Sequence, residues 1–81
     1  MITAEQIAEK IDELKTANNA ARSVKRGMNL ENRAAVDKFI SINRRTMDLL
    51  AFNFNVVEKK LFNEVAQDQA LEQLKKILDI S

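Results

Sequence analysis

The chain contains no cysteine, no histidine and no proline, and its single glycine is Gly27. Each absence removes a class of answer. Without Cys no disulfide can hold a small fold together, and without Cys or His a structural zinc or a haem lacks its usual ligands. The same gap takes away the commonest general base and the thiol nucleophile, and Ser23, Ser41 and Thr46 have no evident activating base beside them. One glycine cannot make a phosphate-binding loop, and no calcium-loop pattern occurs. An enzyme is therefore not expected, and neither is a cofactor. Sheets need turn residues at short intervals, so this composition also argues against strands.

Long apolar runs are missing too. No stretch approaches the 18 or so uninterrupted apolar residues of a membrane span. The opening MITAEQIAEK lacks the basic segment and apolar run of a secretory signal. With no cysteine as well, a cytoplasmic protein is the expectation.

What remains is 81 residues, 46% hydrophobic and 31% charged, enough for one domain over residues 1–81. A domain this small buries only about 60% of the surface its unfolded chain exposes. Self-association is the one stabilising device left to it.

The patterns are helical. Thr3 and Gln6 have the spacing of a capping box, with Ile2 and Ile7 as the hydrophobic staple around it. Ile7, Ile11, Leu14, Ala21 and Val24 then form one apolar stripe. Thr16 to Asn19 are poor helix formers, and Gly27 is suited to end this helix in a left-handed conformation. Asn29 can cap a second helix. In it Val36, Ile40, Asn43, Met47, Leu50, Phe54, Val57 and Leu61 alternate at spacings of four and three, a coiled-coil seam. Its polar member, Asn43, either faces solvent where the seam frays or fixes the register of the packing.

Two layouts fit. A break at Asn53–Asn55, with Asn55 and Glu58 as a capping pair, gives helices of roughly 4–26, 30–52 and 56–79 and an antiparallel three-helix bundle. An unbroken seam instead carries the second helix to about Ala66 and makes a long helical hairpin, with Asp68 capping a short last helix. On either layout Leu71, Leu74, Ile77 and Leu78 share one face, and Glu72 and Lys76 have ion-pair spacing.

Two surfaces could bind a partner. Residues 47–57, MDLLAFNFNVV, are apolar nearly all round, and monomers seldom leave such a patch in water. Met47, Leu49, Phe52, Phe54 and Val56 are the candidate protein interface, with Leu49, Phe52 and Val56 as an outer stripe beside the seam. The alternative is that all of this segment is core. The second surface is basic. Residues 15–45 carry eight Lys or Arg against two acids, whereas residues 1–14 and 46–81 are net acidic. All five arginines lie in that middle stretch. A hairpin at Gly27 would gather Arg22, Lys25, Arg26 and Arg33 at one end, with Arg44 and Arg45 roughly 17 Å further along. This set could meet phosphates or an acidic partner. Local pairs such as Arg33–Asp37 and Arg44–Asp48 are the plainer use of these charges. A pI near 8.0 and the lack of Trp and Tyr make nucleic acid the weaker expectation. The acidic rows Glu5, Glu9, Glu13 and Glu64, Asp68, Glu72 read as solvated helix faces.

The sequence therefore points to a self-associating, all-α protein, a homodimer or higher oligomer, that acts without catalysis by binding another protein. Its short, proline-free, asparagine-rich make-up resembles accessory proteins of bacterial viruses, which implies an adaptor or inhibitor of a larger host protein or complex.

Overall fold

Three side-chain caps set where the helices begin. The Thr3 hydroxyl accepts from the Gln6 backbone amide at 3.2 Å, and Gln6 Oε1 accepts from the Thr3 amide at 2.8 Å, completing the capping box. Asn29 Oδ1 accepts from Asn32 N at 2.9 Å, and Asn63 Oδ1 from Ala66 N at 2.8 Å. The computed structural model describes residues 2–80. Among them it has three helices, α1 (Ala4–Lys25), α2 (Leu30–Glu58) and α3 (Glu64–Leu78), and no strand.

The ends are made differently from what the composition suggests. Gly27 does not adopt a left-handed conformation. Instead the Met28 amide donates to the Lys25 carbonyl at 3.1 Å, a tight turn that delivers the chain directly to the extended Asn29 cap. Left-handed residues occur where there is no glycine, at Lys60, Phe62 and Asp79. Leu61 N donates back to Val56 O, and Ile80 N to Lys75 O, both at 3.0 Å, so α2 and α3 close on Schellman-type turns.

The fold is the expected all-α three-helix bundle, but the boundary between its second and third helices differs from both layouts. The helix does not break at Asn53–Asn55, because Asn53 is buried and its side-chain amide donates to Gln73 Oε1 of α3 at 2.8 Å. An Asn with a tertiary partner no longer competes with its own backbone. Nor does the helix reach Ala66. It stops at Glu58, which leaves Leu61 outside the seam and exposed. The cap of α3 is Asn63, not Asn55 or Asp68.

α1 and α2 form an antiparallel hairpin. α3 folds back along the C-terminal half of α2 and touches α1 sparingly. The core lies where all three meet: Ile7, Leu50 and Leu74, packed around by residues such as Ile11, Leu14, Phe54, Val57 and Ile77. Full burial of a Leu is worth about 1.5–3 kcal/mol, and Leu50 and Leu74 are fully enclosed. The particle is 48 × 21 × 20 Å, three helices thick at one end and two at the other.

α1 runs unbroken through Thr16–Asn19 because Asn18 faces inward. Asn43 is buried, not solvent-facing. Its Nδ2 donates to Asn18 Oδ1 at 2.9 Å, and Asn18 Nδ2 donates to the Ile40 carbonyl at 3.4 Å. Among the described residues no buried side-chain polar atom is left without a partner. Replacing one member strands the other. Asn18→Leu should therefore cost about 1–3 kcal/mol in urea unfolding. Asn18→Leu/Asn43→Leu together should cost clearly less than the sum of the two single changes. Additive losses would show that the pair is not a unit.

Candidate functional site: the uncovered face of helix α2

The apolar run 47–57 divides three ways. Leu50, Asn53 and Val56 are buried, and Met47, Phe54 and Val57 are half-buried in the seam. Leu49 and Phe52 remain 40% and 57% exposed. Val56 must be corrected as a surface candidate, since it is 2% exposed. It lies at the floor of the groove between α2 and α3, where Ala66 and Ala70 let α3 approach closely. Leu49, Phe52 and Phe62 stand at the lips of this groove.

The exposed face is longer than the run that announces it. Phe39 and Ile42, 46% and 52% exposed, continue it towards the start of α2. They are open because α3 ends before reaching their level. Beyond Glu58, Phe62 is 70% exposed at a backbone φ of 67°, a conformation that costs a bulky residue on the order of 1–2 kcal/mol. Val65 is exposed on the first turn of α3, and Val24 and Leu30 near the hairpin turn. None of these six belongs to the candidate set read from the run 47–57. The recurrence of Ile42 with Leu49 at one heptad was available in the sequence. The exposure of Phe62 depends on a turn that no local signal specifies.

The basic residues lie along both arms of the α1–α2 hairpin. Lys25 bonds Asp37 across the helices, so Asp37 is not left for the pairing with Arg33 expected along α2. Arg33–Asp37 and Arg44–Asp48 pairs do not form, and Lys75 rather than Lys76 meets Glu72, at 3.8 Å. Arg22 and Arg44, placed apart by the expected layout, instead line one recess with Lys15, Asn19 and Met47 over the buried Asn18. An Arg22 guanidinium nitrogen donates to Asn19 Oδ1 at 3.1 Å. Arg26, Arg33 and Arg45 are exposed and do not line this recess. The charge blocks become spatial: the basic stretch 15–45 makes the two-helix end, and the net acidic stretches make the three-helix end.

Among the described residues no group of His, Cys, Asp or Glu is placed to hold a metal, and no helix is long and apolar enough to cross a membrane. No protein-family model matches the chain, and no curated protein or solved structure is significantly similar to it.

Neighbouring residues separate support from surface. Leu50→Ala should cost about 2–5 kcal/mol in denaturant unfolding, as a fully buried leucine does. Leu49→Ala should cost no more than about 1 kcal/mol. Equal costs would mean that Leu49 is core.

Proposed function

We propose that this protein is a non-enzymatic interaction module that docks protein on the apolar face of α2, acting in the cytoplasm as a small adaptor or inhibitor. The observation carrying this reading is the exposure of Phe39, Ile42, Leu49 and Phe52 within about four turns of one helix, with Phe62 exposed at the lip of the groove. Single exposed apolar residues are ordinary, but several large ones close together on one helix favour a binding surface. Phenylalanines suit such a surface because they bury much area and freeze few torsions. Phe62 supports the reading further, since a left-handed backbone that holds an aromatic ring largely in solvent brings little packing within the chain. The partner is another protein, a second copy, or both.

Capture from the native cell with wild type and Phe52→Asp, with nuclease treatment as control, tests this. Phe52→Asp should keep the helical circular dichroism of the wild type and lose the bound protein. Wild-type binding should persist as ionic strength rises. Capture of the same proteins by both chains would reject this face as the docking surface.

A second reading has its own observation. Lys15, Arg22 and Arg44 line one recess, and none of them forms an ion pair among the described residues. Such a site suits the phosphate of a nucleic acid or of a small ligand. If this recess is the working site, oligonucleotide or phosphate-ligand affinity should fall steeply with salt and be lost in Arg44→Glu. Salt-independent binding, or binding unchanged by Arg44→Glu, would remove it.

A further inference from the structure

A docking face for any protein leaves two features unexplained: the spacing of the exposed apolar residues along α2, and the opposite charge of the two ends of the molecule. We propose that the occupant of this face is a second copy of the chain, packed antiparallel about a two-fold axis that passes by the Arg45–Thr46 peptide. This inference rests on the docking reading above and names its partner.

The spacing is symmetric about that peptide. Ile42 lies as far before it as Leu49 lies after it, and the same is true of Phe39 with Phe52. All four side chains are exposed. An antiparallel copy centred there sets Ile42 against Leu49 of the second copy and Phe39 against its Phe52, each contact occurring twice. Two-fold interfaces are self-complementary in this way. A foreign partner would impose no such symmetry on the sequence.

Charge selects the same alignment. Residues 15–45 are net basic, whereas residues 1–14 and 46–81 are net acidic. The basic two-helix end of each copy then lies along the acidic three-helix end of the other. A parallel pair would set the basic ends side by side. Like charges directly opposed across an interface are unfavourable.

Size is also sufficient. α2 has 29 residues and is about 44 Å long at the helical rise. A standard interface covers about 800 Å² per partner, roughly an eighth of this chain's 6137 Å². Each copy would supply over the other's two-helix end the cover that α3 is too short to give.

The chain has no native cysteine, so single thiols can be placed freely. Arg45→Cys, Ile42→Cys and Leu49→Cys would be treated with a short bis-maleimide after light scattering of the wild type at tens of micromolar. The arrangement requires a dimer, efficient self-cross-linking of Arg45→Cys, and on the order of tenfold less for Ile42→Cys or Leu49→Cys alone. Mixing the last two should restore cross-linking. A dimer in which Ile42→Cys cross-links to itself as readily as Arg45→Cys would overturn the antiparallel alignment. A dimer with no cross-link at any of these positions would overturn this face as its seat. Either result leaves docking of a different protein intact. A monomer would remove the second copy altogether, while loss of cellular partners from Phe52→Asp would still support the docking face. The wild-type helical circular dichroism of each variant confirms that its cross-linking reports on the folded chain.

Discussion

The length difference between α2 and α3 governs the rest of the structure. α2 runs for 29 residues and α3 for 15, about 44 Å against 22 Å. A helix in a bundle buries the stripe that faces its neighbours, and α2 has two neighbours over only half its course. Where α3 lies against it, residues on two sides are buried, Leu50 towards α1 and Val56 towards α3. Past the end of α3 the second side is open, and there the sequence still places Phe39 and Ile42. The apolar pattern of α2 therefore exceeds what this single chain can cover.

The buried asparagines sit next to the core, at the passage from three helices to two. Ile7, Ile11 and Leu14 face the three-helix core, and Asn18 takes the following position of the same stripe. Opposite it, Asn43 interrupts the seam of α2. A hairpin sealed by aliphatic residues alone could slide by a turn at small cost. Here a slide would separate Asn18 from Asn43 and bury their amides unpaired, each costing about 1–3 kcal/mol. The pair thus fixes register, as a seam Asn does in coiled coils. Lys25 and Asp37 fasten the hairpin again beyond it.

The starts of α1 and α2 and the seam as far as Val57 were legible in the sequence because they depend on neighbours three or four residues away, whereas the Asn63 cap of α3 was not. Thr3 with Gln6 and Asn29 with Asn32 need no tertiary information. The end of α2 was not legible. Asn53 favours a break by its propensity, and only Gln73, far along the chain, reverses that preference. Asn18 was missed for a related reason: a polar residue on an apolar stripe gains meaning only through its partner on another helix. The outer stripe Leu49, Phe52 and Val56 was read as one surface, yet it divides, because the small Ala66 and Ala70 bring α3 over Val56 and leave Phe52 outside. Sequence spacing specified the stripe, and the position of α3 decided which of its members meet solvent.

Apolar contact and charge play different parts in choosing what lies on that stripe. Apolar burial is non-directional, so Ile42 and Leu49 would pack on a copy running either way. Charge is directional here, because the basic residues of 15–45 share one end of the particle and the acids of α3 and early α1 share the other. The Debye length at physiological ionic strength is about 8 Å, shorter than the 48 Å particle, so only juxtaposed ends feel each other. That range is long enough to disfavour two basic ends in contact and too short to hold copies together from a distance. Adhesion then belongs to the phenylalanine and aliphatic face, and orientation to the segregated charge. Salt should weaken the second more than the first.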